Sequence, residues 1–403
     1  MDRPKLWTKD FIMVSTANFL LFCSFYMLMV TLAIYAIEEF HASKSEAGIA
    51  SGIFVLGAVL VRPIAGRLMD TVGKRKILIF GLALFLVMML LYFPIHSLPL
   101  LLLIRLIHGF AFGISQTATG TIAADIIPLE RRGEGMGYYA TSMNLAMAIG
   151  PFVGLFLSQH FDGRTIFVVT SVLSLVALAA SLFLQVPKTE MPAGNQPTAK
   201  GLHLRDFFEK TTVPIGILAA ICGFVYSSIL TYLSAYAEEI NLVEAASFFF
   251  TMYALFLLLS RPFTGRLFDT KGENLVMYPS LVLYAAGLLL LSQAQTGISL
   301  LIAGAAIGVG MGTIQSSAQT ISVNEAPRHR IGLATSTFFV FYDFGIGVGP
   351  FLLGSILPFS SFRGLYLGMA VIALLCLYVY YAVHGKKAAA RRSRENSVEE
   401  ISG

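Results

Sequence analysis

Arg62-Pro-Ile-Ala-Gly-Arg-Leu-Met-Asp70-Thr-Val-Gly73 is echoed by Arg261-Pro-Phe-Thr-Gly-Arg-Leu-Phe-Asp269-Thr-Lys-Gly272. Arg62, Pro63, Gly66, Arg67, Leu68, Asp70, Thr71 and Gly73 each recur 199 positions later. The same register carries Gly109, Gly113 and Gln116 onto Gly308, Gly312 and Gln315. It also carries Pro128, Arg131, Gly133, Gly150 and Pro151 onto Pro327, Arg330, Gly332, Gly349 and Pro350. A fixed spacing over half a chain marks an internal duplication. In an apolar chain such a duplication points to a membrane unit built twice, the usual ground plan of proteins that move solutes across bilayers.

Of 403 residues, 56% are hydrophobic and 13% charged, against about 25% charged in a soluble domain. Twelve apolar segments are read, over 11–37, 46–69, 77–95, 98–124, 135–159, 164–186, 213–237, 246–268, 275–294, 298–322, 333–357 and 364–383. A helix needs about 20 residues to cross about 30 Å of hydrocarbon. Only helices are expected, because lipid offers the backbone no water. The predicted fold is therefore all-α, with twelve transmembrane helices in two pseudo-symmetric six-helix bundles. The Pro- and Gly-bearing stretch from Pro187 divides the chain: residues 1–187 form one bundle, 188–212 a cytoplasmic linker, 213–385 the second bundle, and 386–403 a disordered cytoplasmic tail. A short amphipathic run from Leu202 to Phe208 suits either a membrane surface or a solvated linker.

With both termini in the cytoplasm, all of the 28 Lys and Arg fall on that side except six. Lys44, Arg164 and Arg363 lie outside, and Arg62, Arg105 and Arg261 lie within spans. That asymmetry sets the orientation and accounts for the net charge of +5 without a nucleic-acid surface. Cys23, Cys222 and Cys376 all fall in spans and form neither a disulfide framework nor a metal-ligand spacing. No signal-peptide cleavage site follows the first segment, so that helix is expected to persist.

Gly66-Arg67-Leu-Met-Asp70-Thr-Val-Gly73-Lys-Arg75-Lys resembles the signature loop of the major facilitator superfamily. Arg105-Leu-Ile-His108-Gly109 is similar to that family's second motif, and Gly150-Pro151-Phe-Val-Gly154 to the glycine-proline motif of its proton-coupled exporters. Ala146 and Leu155 stand where that exporter motif often has glycine. The resemblance spans both halves and is nearest to the twelve-helix drug:proton antiporters. It implies that Asp70 meets the start of the eleventh span near Arg330 to Leu333, and that Arg105 assists proton transfer. It also implies that the first, fourth, seventh and tenth spans line a central cavity. Onto that lining fall Asn18, Tyr26, Thr31, Tyr35, His108 and Gln116 from one half. Tyr226, Ser227, Ser228, Thr231, Tyr232, Gln315, Ser316 and Gln319 fall there from the other, and Tyr342 joins them.

Elementary physics assigns roles to the same residues. Gly66 and Gly73 permit a tight turn and close helix approach. A carboxylate at Asp70, or at its repeat Asp269, favours the positive end of a neighbouring helix by about 0.3–1 kcal/mol. Asp125, Arg131 and Arg132 are expected to complete the charge network around Asp70, with Arg67 and Arg75 on the same loop, forming a cytoplasmic latch. The alternative is that these charges only set topology and cap helices. Gly150-Pro151 and Gly349-Pro350 lie inside spans, where proline removes a backbone hydrogen bond and invites a kink.

Ionisable groups at membrane depth are costly and functional by default. Asp343 lies about 15–18 Å into the eleventh span at 1.5 Å per residue, the one carboxylate so deep in the sequence. It is a candidate proton carrier, or else a structural partner of an arginine. His108 is a second candidate for proton coupling, or a hydrogen-bonded packing group. Arg62 and Arg261 are expected to snorkel or to pair between helices.

These readings converge on a proton-coupled exporter of small amphipathic organic molecules, working by alternating access and antiport. No cofactor beyond the proton gradient and no metal is expected. The partners are a small-molecule substrate, protons and membrane lipids, with no nucleic acid; the chain is expected to be a monomer in a bacterial plasma membrane. Two alternatives stay open within transport: export of a carboxylate-rich, metal-chelating metabolite, and proton-coupled import of a sugar or organic acid. Enzymatic catalysis is excluded by the lack of a clustered nucleophile, base and oxyanion donors. ATP-driven transport is disfavoured by the absence of a P-loop.

Overall fold

The computed structural model describes residues 4–42, 44–186 and 207–391. Among them are thirteen α-helices and no strand. The first six are α1 (Lys9–Phe40), α2 (Lys44–Val72), α3 (Lys74–Leu90), α4 (Leu98–Ile126), α5 (Arg132–His160) and α6 (Arg164–Leu182). Then come α7 (Val213–Glu239), the five-residue α8 (Val243–Ser247), α9 (Phe249–Lys271), α10 (Asn274–Ser292), α11 (Gly297–Glu325), α12 (Ile331–Ile356) and α13 (Phe362–Tyr380). Twelve of the thirteen match the twelve apolar segments. Among the described residues, ten spans are long and apolar enough to cross a bilayer. Of the other two long helices, α3 stops at 17 residues and α9 is diluted by Arg261 and Arg266.

The side chains are sorted inside out. Phe152, Phe263, Ile298 and Phe359 are exposed, whereas Asn18, Arg105, Gln116, Thr117 and Gln319 are buried. In water that arrangement would leave a large unpaired apolar surface; in lipid it places apolar groups against acyl chains and polar groups against each other. The molecule is an integral membrane protein.

Two compact units form. One is built within residues 1–128, 141–209 and 326–340, the other within 129–140, 210–325 and 341–403. In the first, α2 packs along α4, and α6 packs against α1 and α3. In the second, α9 packs along α11, and α13 packs against α7 and α10. The pairings repeat as the sequence does. Each unit also includes the opening turns of one helix from the other half of the chain: residues 331–340 of α12 in the first, residues 132–140 of α5 in the second.

Glycine is required where the repeat demands it. Gly73 and Gly272, 199 residues apart, sit at φ 111° and 84°, a region L side chains rarely adopt; there α2 ends and α3 begins, and α9 gives way to α10. Gly109 and Gly308 allow backbone contact: an added Cβ would lie 2.1 Å from the Phe54 carbonyl oxygen and 2.3 Å from that of Tyr253. No rotamer relieves a clash with backbone, and overpacking typically costs about 1–3 kcal/mol. Gly109→Val is therefore expected to lower the Tm of the purified protein by several degrees or prevent its recovery. Gly368→Ala, at a site with nothing within 4 Å, is expected to leave Tm unchanged. Equal Tm values for the two variants would contradict this packing.

The amphipathic run expected at 202–208 lies, up to residue 206, outside the described residues. The tail departs from expectation. Beyond Tyr380 the helix passes through a π-turn over Tyr381–Gly385 and continues to residue 391, so residues 386–391 are helical where disorder was expected. Ion pairs order them. Lys387 reaches Glu325, Arg391 bridges Glu325 at 3.0 Å and Glu273 at 2.5 Å, and His384 Nε2 lies 3.1 Å from Glu273. Burial pushes the Glu273 carboxyl up, but the hydrogen bond from His384 and the charge of Arg391 outweigh it and hold it at about 2. Residues 392–403 lie outside the described residues.

Candidate functional site

Each copy of the repeat carries one carboxylate, Asp70 or Asp269, and both do the same thing. Asp70, at the end of α2, accepts the backbone N–H of Gly332 (3.1 Å, Oδ1) and of Leu333 (3.1 Å, Oδ2) at the start of α12. Asp269, at the end of α9, accepts those of Gly133 (2.7 Å, Oδ1) and Glu134 (2.9 Å, Oδ2) at the start of α5. Each carboxylate thus satisfies two of the N–H groups a helix start leaves unpaired and sits at the positive end of its dipole. Space explains the glycines: a Cβ on Gly332 or on Gly133 would stand 2.7 Å from the capping Oδ1. A Cβ on Gly66 would meet Ser336 at 2.6 Å, and one on its repeat Gly265 the Glu134 Cα at 2.5 Å.

The charges around the two caps divide differently from the sequence expectation. Asp125 pairs with Lys74 beside Asp70. Arg131 does not join them: its Nη2 pairs with Glu134 Oε1 at 2.9 Å, beside Asp269. Arg132 donates to Asn324 at 3.0 Å. The one-turn 3-10 helix Leu129–Arg131 after Pro128 carries these arginines away from Asp125. Arg75 is likewise elsewhere, donating to the Leu182 carbonyl at 2.6 Å, and Arg67 lies over the Phe207 ring at 5.3 Å. Near Asp70 the sequence reading missed Glu209, which pairs with Arg330 at 2.8 Å and whose N–H donates to Thr337; it follows the undescribed segment, and no motif marks it.

Among the arginines of the spans, neither Arg62 nor Arg261 snorkels. Arg62 is 1% exposed, with its guanidinium 4.9 Å from the Phe339 ring centre. Arg261 donates to Ser316 Oγ at 2.5 Å and the Gly312 carbonyl at 3.2 Å. Arg105 and His108 are fully buried, one turn apart on α4. Arg105 Nε donates to the Ala50 carbonyl at 3.1 Å, and its guanidinium lies 4.3 Å from the Phe54 ring centre. His108 Nδ1 is 3.0 Å from the Tyr92 hydroxyl, and its ring packs on Phe54 and Phe85.

The polar residues expected to line a cavity split into two groups. Asn18 joins three helices of the first unit, donating to Ser142 at 2.8 Å and accepting from Thr119 at 3.1 Å. The buried Gln116 Oε1 and Gln319 Nε2 have no hydrogen-bond partner, so each presents an unused polar atom. Tyr226 stands 5.9 Å from Tyr253, ring to ring. Others are committed to packing. Thr31 bonds the Met27 carbonyl, Ser227 the Phe224 carbonyl and Ser228 the Val225 carbonyl within their own helices. Tyr35 packs on Phe40 and Phe167, and Tyr232 donates to the Pro350 carbonyl at 2.7 Å. Tyr26 stacks with Phe22, Thr231 is exposed, Gln315 is buried, and Tyr342 packs its carbonyl on Gly223.

Asp343 is half-buried on α12, and one turn on, at Gly347, an added Cβ would meet nothing within 4 Å. The neighbouring face is closed: Cβ atoms on Gly345 and Gly349 would lie 2.0 Å from the Ala220 carbonyl and 1.8 Å from Ser227 Oγ. Gly150 makes the matching approach to Tyr26 at 2.7 Å. Pro151 and Pro350 both lie inside their helices. Among the described residues no group of three or more His, Cys, Asp or Glu is placed to hold a metal ion.

A sequence profile of the Major Facilitator Superfamily matches residues 14–350, and again 243–402. The chain belongs to the Major Facilitator Superfamily. Relatives within that superfamily cover nearly all of it. Multidrug resistance protein MdtG of Klebsiella pneumoniae is 25% identical over 98% of this chain and 97% of its own length. Quinolone resistance protein NorA of Staphylococcus aureus is 24% identical over 88% and 91%. An uncharacterized MFS-type transporter of Methanocaldococcus jannaschii is 23% identical over 87% and 92%. In structure, the human organic anion transporter MFSD10 superposes with a TM-score of 0.75 at 15% identity, covering 94% of this chain and all of the other. This likeness shows the two-bundle superfamily fold. As a superfamily member the chain is a transporter of small molecules and not an enzyme.

Proposed function

We propose that this transporter exports small amphipathic organic molecules, drugs or metabolites, from the cytoplasm by antiport with protons. The observation that carries the reading is its similarity, along nearly the whole chain, to proteins named for multidrug and quinolone resistance. In this reading Asp343 carries the proton. Asp70 and Asp269 serve as paired latches in the state with both caps formed, at the cytoplasmic ends of α2 and α9. Alternating access then consists of breaking and remaking those caps as the two six-helix halves rock. One inward proton releases about 2.3 kcal/mol per 100 mV, enough to drive uphill efflux.

Vesicles test the proposal. Inverted, acid-inside vesicles are expected to accumulate a cationic dye or a quinolone, and a protonophore is expected to release it. Import by symport predicts uptake by right-side-out vesicles with the acid outside. Transport of any of these solutes with no dependence on a proton gradient would remove the coupling from the reading.

A further inference from the structure

The corner of the first unit where α1 and α3 begin beside the end of α6 gathers more positive charge than its packing uses. Two hydrogen bonds join the three segments. Arg75 Nη2, at the start of α3, donates to the Leu182 carbonyl at 2.6 Å, and the Gln185 N–H, just past α6, donates to Asp10 Oδ1 at 2.9 Å. Lys5, Lys9, Arg75 and Lys76 are all exposed, and among the described residues none of them forms an ion pair. Asp10 is the only carboxylate within residues 4–12, 74–80 and 180–186.

The duplication shows that the fold does not need this charge. At the 199-residue register Arg75 and Lys76 become Asn274 and Leu275, while Gly73 is kept as Gly272. Asn274 Nδ2 donates to the Gly385 carbonyl at 2.9 Å, at the end of the π-turn that extends α13. A neutral amide thus makes in the second unit the tie that Arg75 makes in the first, from a helix start to the end of the last span. Leu275 is exposed and apolar. The second unit also neutralises its own cations, Lys387 by Glu325 and Arg391 by Glu273 and Glu325. In the first unit a guanidinium and an ammonium stand where an amide and an isobutyl group suffice.

We propose that this corner binds an anionic phospholipid of the surrounding bilayer, its phosphate held by Arg75 and Lys76 and its headgroup flanked by Lys9 and Lys5. The planar guanidinium fork matches a phosphate at two points, and Lys and Arg clustered at the end of a span attract anionic lipids. Apolar surface beside the charges selects a lipid over a soluble phosphate. Phe80, one turn beyond Lys76 on the same face of α3, is 58% exposed, and Phe183, next to Leu182, is 65% exposed. Acyl chains lie along these rings while the phosphate stays with the cations at the water interface. The site is independent of the export reading and of the proton carrier proposed at Asp343.

Thermal unfolding of the purified full-length protein in a neutral detergent, titrated with phosphatidylglycerol or phosphatidylcholine, tests the site. A ligand bound only by the folded state raises Tm as ln(1 + [L]/Kd). Phosphatidylglycerol is expected to raise Tm and saturate, whereas phosphatidylcholine and glycerol phosphate at the same concentrations leave it unchanged. Arg75→Asn with Lys76→Leu writes the second copy's residues into the first. It is expected to weaken phosphatidylglycerol binding about thirty-fold, for two charges lost beside an anionic headgroup. If that variant does not fold, Lys5→Gln with Lys9→Gln, at exposed side chains outside any ion pair, is expected to weaken binding in the same direction. Lys210→Gln with Lys271→Gln removes two exposed charges from the second unit and is expected to leave binding unchanged. Equal stabilisation by the two lipids, or by glycerol phosphate and phosphatidylglycerol, would overturn the proposal. So would full affinity in the variants of the corner, or an equal loss in the variant of the second unit. None of these measurements involves transport, so the outcome is separate from that of the export reading.

Discussion

Asp343→Asn is expected to abolish proton-driven accumulation while leaving a folded, membrane-inserted protein. Asn keeps the size of the side chain and loses its ability to take up and release a proton. Since 2.3 kcal/mol per 100 mV corresponds to about a fifty-fold concentration ratio, the unaltered transporter can hold a gradient of about that size per proton at that potential. The variant is expected to bring substrate no further than equilibrium, a ratio of about one, with Tm within a few degrees of the parent. Asp343→Glu, which restores a titratable group on the same helix, is expected to recover part of the gradient. The measurement is dye accumulation in inverted vesicles under an imposed pH gradient. Accumulation by Asp343→Asn equal to that of the unaltered protein would move the carrier to another residue.

The position of Asp343 within its helix illustrates what a linear chain shows. It follows from counting residues at 1.5 Å each along α12, and the fold leaves the side chain half-buried, one turn from Gly347. The repeat was equally legible: identical residues 199 apart occupy equivalent positions, down to Phe54 and Tyr253 accepting the approach of Gly109 and Gly308. Partners across long sequence separations were not. Arg131 is six residues from Asp125 in sequence, yet the short turn after Pro128 delivers it to Asp269 in the other unit. Tyr92 follows α3, and nothing local ties it to His108 on the next helix. Arg62 and Arg261 carry stems long enough to snorkel. Only the packed neighbours, Phe339 for one and Ser316 with the Gly312 carbonyl for the other, reveal that they stay inside. The helical extension to residue 391 escaped because its stability comes from Glu273 and Glu325, more than 60 residues upstream, and not from its own composition.

The paired caps make the second large prediction, and their equivalence sharpens it. In each, one carboxylate receives two N–H groups of a helix start belonging to the other half of the chain. Asn at either position offers one acceptor oxygen and no charge, so one N–H is left without a partner at a half-buried site and the dipole contact is lost. An unsatisfied buried donor costs about 1–3 kcal/mol and the dipole contact about 0.3–1 kcal/mol. Asp70→Asn is therefore expected to reduce the population of the capped state by at least about five-fold relative to the state in which that cap is broken. Asp269→Asn should do the same to a similar extent. Because the two caps lie in different compact units and share no partner, the double variant should show close to the sum of the two free-energy changes, and slowed or uncoupled efflux should follow. Spin labels on the loops after α2 and α9, read by pulsed distance measurements, check this directly. A distance distribution unchanged in the double variant would reduce both carboxylates to helix caps with no part in the transport cycle. A response to Asp70→Asn alone would mean that the copies have diverged, with the Lys74–Asp125 pair, replaced in the second copy by Glu273 and Asn324, making the first cap the one that gates.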